Sequence, residues 1–398
     1  MPEEQIYQPK MSVNLAAVQE NYDELCRHAP KQEICPVVKS NAYGLGAKEV
    51  TESLIKCGCR NFYVSTAQEG IHLRKHFPDI QINVLNGPHK SNLILFKKNA
   101  LTPVINSMEQ LRLWEKICSS SQTGCILNLE TGFNRLGIKE SEWPHFTKEK
   151  LKEYKVSLIM SHLSCASDVP EMADCKDEQR RKTVQEQNKK QFDTYQRALK
   201  HFGLPGSLAL DAHLANTEQA PISQIRSGAA LYGINVFPKV LNLSPVMTIE
   251  APLLQIETIK KGDNVGYGAT FQAEKDTKVA VLGIGYSHGI PRSLSNNGKV
   301  WFQDGDEFYS APIIGRISMG LLNCDVTKVP QSALKKSKAS LVNRRYTIND
   351  FCVDADRLDS EIMCCFNSMD LVYTNRLQRE REKKISNITN IKKSCCQR

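Results

Sequence analysis

No apolar run in this 398-residue chain approaches the ~20 residues that a membrane-spanning helix requires. The first ten residues, MPEEQIYQPK, lack the apolar core of a secretion signal. None of the fourteen cysteines forms a Cys-x-x-Cys pair, and none stands with histidines at zinc spacing. Cys57 and Cys59 alternate, and Cys364–Cys365 and Cys395–Cys396 are adjacent. These absences predict a cytoplasmic protein with reduced thiols, no bound metal and no membrane partner. Aromatic residues are missing among the charges of the C-terminal stretch 376–398, where eight Lys or Arg face Glu380 and Glu382. That stretch holds six of the nine net positive charges and reads as a solvated basic tail, not a nucleic-acid surface. A Gly-x-Gly-x-x-Gly turn after the first apolar run is absent too, which argues against a doubly wound dinucleotide fold.

What is present is ordinary globular composition, 41 % hydrophobic and 24 % charged, in a length that suits two domains. Eight short apolar runs recur at Ile34–Val38, Phe62–Ser65, Ile82–Leu85, Thr102–Ile105, Cys125–Leu129, Val156–Ser161, Leu208–Asp211 and Ile225–Leu231. Helical periodicity separates them, as in Met108–Ile117 and the long polar stretch Asp177–Phe202. Strands alternating with helices imply parallel βαβ units, and eight of them predict a (β/α)8 barrel over residues 11–244. After Pro245 the runs become shorter and β-branched: Leu253–Ile259, Val279–Ile284, Val300–Phe302, Ala311–Ile314 and Leu321–Val326. Asn297-Gly298 and Asp304-Gly305 read as hairpin turns. Residues 245–375, joined by 1–10, are thus expected to form an all-β domain.

The chemistry concentrates where the barrel strands end. The run Ile34–Val38 leads into Lys39, followed by Tyr43, Gly44 and Gly46 at a turn before a helical pattern from Ala47 to Lys56. A primary amine at the carboxyl edge of a strand, beside a phenol and a Gly-rich turn, suits a Schiff base to an aldehyde cofactor. Alone, the same spacing fits a surface lysine after an edge strand. Four further strand ends supply Glu130-Thr131-Gly132-Phe133-Asn134-Arg135-Leu136-Gly137, Ser161-His162-Leu163-Ser164, Asp211-Ala212-His213-Leu214-Ala215-Asn216-Thr217 and Arg226-Ser227-Gly228-Ala229. In a barrel these converge on one mouth, where Arg226-Ser227-Gly228 offers unobstructed amides for a phosphate. The β domain adds Val265-Gly266-Tyr267-Gly268, Gly285-Tyr286-Ser287-His288-Gly289 and Gly315-Arg316-Ile317-Ser318-Met319.

In this order the motifs VVKSNAYGLG, ETGFNRLG, SHLS, HLAN, IRSGAALYG, VGYG, GYSHG and GRISM resemble the bacterial alanine racemases over about 340 residues. The resemblance implies a pyridoxal-phosphate barrel followed by a β domain, paired as a homodimer. It implies that Lys39 carries pyridoxal 5′-phosphate as an internal aldimine. It further implies that Tyr267, supplied by the partner subunit, is the second base of a two-base racemisation of alanine, with D-alanine feeding peptidoglycan. His162 and Arg226 match the pair linked to that tyrosine, whose pKa nearby positive charge would lower. The resemblance implies that Arg226 also faces the pyridine nitrogen. Tyr43, Asn216, Thr217, Gly228 and Ala229 complete the cofactor seat. Arg135, Met319 and Tyr286 correspond to substrate-binding positions.

Five positions and one segment depart from the family pattern. Ser360 stands where a phosphate-contacting tyrosine is usual, Gly320 for an aspartate, and His288 for the acid of the Gly-Tyr motif. Asn128 replaces a lysine that is often carbamylated, Leu45 replaces a histidine, and Thr374-Asn375-Arg376-Leu377 replaces an arginine–proline segment. Both expected bases are retained. A broad-specificity racemase or a weakened or inactive homologue is therefore the nearest alternative. An amino-acid decarboxylase is disfavoured by the Tyr267 motif, and a lone-barrel cofactor carrier by the second domain.

Overall fold

The computed structural model describes residues 8–168, 175–215 and 222–375, so the basic tail expected at 376–398 lies outside the described residues. Two compact units are present. One comprises residues 21–231 and 235–243, and the other gathers the remaining described segments at 8–20, 232–234 and 244–375.

The first unit is the expected barrel. Eight parallel strands follow in spatial order from Glu33–Pro36 through Gln224–Ser227, Gly206–Ala209, Val156–Met160, Cys125–Asn128, Thr102–Ile105 and Gln81–Val84 to Asn61–Val64. A parallel bridge from Val37 to Tyr63 brings the two ends together, with the Val38 amide donating to the Tyr63 carbonyl at 2.8 Å. The runs read as continuous apolar stretches because both faces of each strand are covered. Cys35, Val37, Tyr63, Val104, Ile126, Leu158 and Met160 form one cluster. Their strand neighbours Ile105, Leu127 and Ile159 pack instead with Trp114, Ala198 and Phe202 of the helices. Two runs end earlier than their hydrophobicity suggests. Leu210 and Asp211 already belong to the helix Leu210–Ala215, and beyond Ser227 the chain turns into a short 3-10 segment, Ala229–Tyr232.

The helix Glu178–Phe202 starts at Asp177, whose carboxylate accepts the Arg180 amide, and stops at Gly203 in the left-handed region. Its buried positions Val184, Asn188, Gln191, Tyr195, Ala198 and Phe202 recur every three or four residues.

The second unit is built on an eight-stranded sheet. Its long strand Met247–Ile259 pairs along one part with Thr277–Leu282 and along the other with Lys338–Val342 and Lys10–Asn14. Register shifts at Ile249/Glu250 and Leu253/Gln255 bend it between partners. Lys10–Asn14 also lies parallel to Asp370–Thr374. The strand Lys10–Asn14 joins the second unit, and the division between the units falls at residues 20/21, where the sequence suggests residue 11. Asp304-Gly305 makes the expected tight hairpin between Lys299–Asp304 and Glu307–Ile314. Asn297-Gly298 does not connect two paired strands; the left-handed residue is Asn296, and a Cβ at Gly298 would meet Leu294 and Ile313. The helices Ile348–Ala355 and Asp359–Cys365 also belong to this unit. No helix among the described residues is long and apolar enough to cross a membrane.

Candidate functional site

Lys39 emerges directly beyond the Glu33–Pro36 strand, at the carboxyl edge of the barrel. The four residues after it, Ser40, Asn41, Ala42 and Tyr43, all have φ between 52° and 58°. A run of left-handed L-residues is disfavoured by contact between Cβ and the following carbonyl. Several bonds hold it: the Ala42 amide donates to the Val38 carbonyl at 3.0 Å, and the Gly44 and Gly46 amides donate to the Ser40 and Asn41 carbonyls at 2.9 Å. The Asn41 carboxamide oxygen accepts the Ala47 amide at 2.9 Å, anchoring the start of the helix Ala47–Lys56.

Tyr43 lies against Gly228. A Cβ added to that glycine would come within 2.5 Å of the Tyr43 hydroxyl, so the pair leaves a cradle only a bare Cα permits. The adjacent Ser227 hydroxyl is buried and without a hydrogen-bond partner among the described residues. Arg226, on the same strand, is 6 % exposed. Its guanidinium donates to the Ser161 carbonyl at 2.5 Å and to the Ser207 hydroxyl and carbonyl at 3.0 and 3.2 Å. No carboxylate lies within ion-pair distance of Arg226 among the described residues. Burial therefore lowers its pKa from the usual arginine value.

The Arg135 guanidinium carbon lies 4.1 Å from the Phe133 ring centroid, and that ring is 5.5 Å from the His162 ring. Burial, reinforced by Arg226, Arg135 and Lys39, pushes the His162 pKa down to about 3. His162 is consequently a neutral imidazole at physiological pH. The positive charge of this mouth therefore rests with Lys39, Arg135 and Arg226.

The loop carrying Arg135 is fixed at both ends. The Glu130 carboxylate accepts the Gly132 amide at 2.5 Å and the Arg135 amide at 3.2 Å. Gly137 sits at φ 144° with the Glu130 amide 2.4 Å from where a Cβ would stand. Asn128, the departure noted above, donates to the Leu136 carbonyl at 3.0 Å and to Asn106 at 2.9 Å.

Two residues absent from the sequence-based site hold these loops. Gln191 is fully buried on the long helix. It accepts from the Ser164 amide and hydroxyl at 2.9 and 2.8 Å and donates to the His162 carbonyl at 3.3 Å. Glu69 binds the amide after Lys39, the Ser40 N–H, at 2.8 Å. Both left a trace in the sequence: Gln191 as a polar residue on the apolar helix stripe, Glu69 as the last member of a Thr66-x-x-Glu69 capping box. Asn216 and Thr217, expected in the cofactor seat, lie outside the described residues.

In the second unit the three glycine-rich motifs meet. Gly285 approaches so closely that a Cβ would lie 2.2 Å from the Ser318 carbonyl, while the Tyr286 and Ser287 amides donate to the Ser318 and Met319 carbonyls at 3.1 and 2.9 Å. Gly315, at φ 72°, packs on the Val265 carbonyl, and Gly268 on the Arg316 guanidinium. Tyr267, Tyr286 and Met319, one from each of these contacting motifs, are all exposed, Tyr267 by 70 %. Ser360 lies in the first turn of the helix Asp359–Cys365, its amide bound to the Asp359 carboxylate at 2.5 Å.

Comparison with known proteins accounts for this arrangement. The family model for the alanine racemase N-terminal domain matches residues 13–236, and that for the C-terminal domain matches residues 246–372. The alanine racemase of Rickettsia akari is 32 % identical over 326 residues, covering 80 % of this chain and 85 % of the relative. The catabolic alanine racemase of Agrobacterium fabrum is 30 % identical over 361 residues, covering 89 % and 88 %. Among solved structures, the alanine racemase of Bartonella henselae with covalently bound pyridoxal phosphate superposes with a TM-score of 0.80 at 25 % identity, covering 92 % of this chain and 99 % of that one. With both domain models matched in order along most of its length, the chain belongs to the alanine racemase family.

Proposed function

We propose that this protein interconverts L- and D-alanine with pyridoxal 5′-phosphate as cofactor, in the cytoplasm and as a homodimer, and so supplies D-alanine for peptidoglycan. The observation that carries the reading is the convergence of Lys39, Tyr43, Arg226 and Gly228 at one barrel mouth. These residues fit the cofactor. Gly228 approaches the Tyr43 hydroxyl so closely that only a residue without a Cβ fits, which sets bare backbone against the phenol, and the buried Ser227 hydroxyl lacks a partner among the described residues. Among the described residues, Arg226 is a buried cation bound to carbonyl and hydroxyl oxygens. Tyr43, Asn216, Thr217, Gly228 and Ala229 would hold the phosphate, and Lys39 the aldehyde carbon. When bound, the cofactor supplies an electron sink for the charge left as an α-proton departs.

The chain's own residues do the rest. The Lys39 Nζ serves one face of the substrate α-carbon and the Tyr267 hydroxyl the other, since a single base tends to return the proton to the face it came from. Arg226, charged and buried, would keep the pyridine nitrogen unprotonated. Neutral His162 can exchange a hydrogen bond without bringing charge. Arg135 and the Met319 backbone would hold the carboxylate, and Tyr286 would line the entrance. The exposure of Tyr267 supports a site that a second copy completes. The test is direct. Purified protein given pyridoxal 5′-phosphate should turn yellow and form D-alanine from L-alanine. A colourless protein that gains no activity from added cofactor overturns the proposal.

A further inference from the structure

The Glu69 carboxylate does more than cap its own helix. Its Oε2 accepts the Ser65 and Thr66 amides at 2.7 and 3.0 Å, which closes a capping box with Thr66. Its Oε1 accepts the Ser40 amide at 2.8 Å, 29 residues earlier in the chain. No helix cap needs that second set of bonds. Ser40 is the first of the four left-handed residues, and it directly follows Lys39. Beside this turn lies a partly open pocket of about 270 Å³, lined by Gln68, His72 and Glu69 itself as well as by Val38, Val64 and Leu73. An unfavourable backbone conformation beside an open pocket needs a tie from elsewhere in the chain to persist. The Glu69 carboxylate is placed to be that tie.

We propose that Glu69 is a positioning residue for Lys39, clamping the Ser40 amide to the Ser65–Thr66 end of the neighbouring strand and so fixing the turn from which the lysine side chain rises. The inference rests on the assignment of Lys39 as the cofactor-bearing amine. Small errors in the placement of a reacting group are costly, which is why a tie of this kind belongs to the site.

The substitution Glu69→Gln leaves one acceptor oxygen where two were used, so one set of bonds must go. Glu69→Asp, one methylene shorter, gives the same comparison if the glutamine variant fails to fold. Thr66→Ala is the matched control, removing the hydroxyl that accepts the Glu69 amide at 3.2 Å while leaving the Ser40 contact in place. Two readings are taken: hydrogen exchange at the Ser40 amide without cofactor, and spectrophotometric titration with pyridoxal 5′-phosphate. The Glu69 variants should lose Ser40 protection and bind cofactor about tenfold more weakly, the size expected for one charge-assisted hydrogen bond. Thr66→Ala should leave both readings at wild-type values. Either reading unchanged in the Glu69 variants, or equal losses in Thr66→Ala, overturns the inference. Lys39→Ala tests the underlying assignment separately: a variant that still turns yellow with wild-type affinity contradicts the role of Lys39, whatever Glu69 does.

Discussion

His162 sits in a mouth that holds three cations, and burial, reinforced by that company, decides its protonation. Its pKa lies at about 3 in the folded chain against 6.5 unperturbed. Between those values the unfolded chain binds a proton that the folded chain excludes, so folding stability falls as pH drops through this window. Replacing His162 by Gln removes the term. Urea midpoints measured from neutral pH down to about pH 4 should therefore fall less steeply in His162→Gln than in wild type. Parallel profiles would mean that His162 titrates normally in the fold. The same neutrality bears on the proposed mechanism, in which His162 exchanges a hydrogen bond and positive charge is left to Arg226. The residue types at the strand ends identified these candidates. Their protonation is not legible in the sequence, since the charges acting on His162 come from Arg135, Arg226 and Lys39, which lie far from it along the chain.

At the scale of elements, the helix Ala67–His76 shows how a side chain can substitute for regular structure. Arg74, near its end, donates to five carbonyls: Phe77 at 3.3 Å, Pro78 at 2.6 Å, Ile80 at 2.7 Å, and Asn99 and Ala100 at 3.0 Å. It joins the helix end to the approach of the strand Gln81–Val84 and to the loop before Thr102–Ile105. Arg74→Leu keeps the stem packing and strands these acceptors. A loss of about 3 kcal/mol in stability is expected, read by urea unfolding. A loss below about 1 kcal/mol would show that water satisfies the carbonyls. Strands and helices of this unit were legible from periodicity because local hydrophobic pattern sets them. The left-handed turn at 40–43 was not, because three of its residues have no local preference for that region and are held there by long-range bonds such as Ser40 to Glu69.

Across the whole molecule, the sequence order of motifs pointed to the family, and the two compact units each bring their own motifs together. The strand Lys10–Asn14 escaped notice because its five residues acquire meaning only through partners at 247–250 and 370–374. The proposed function makes the active site a property of two chains, with Lys39 from one and Tyr267 from the other. Subunit mixing tests this most directly. Lys39→Ala and Tyr267→Phe chains should each form little D-alanine alone. Unfolded together and refolded, they would form mixed dimers in which one of two sites is intact, restoring roughly a quarter of wild-type activity. A mixture that forms mixed dimers yet stays as inert as its components, or single variants as active as wild type, would contradict the account.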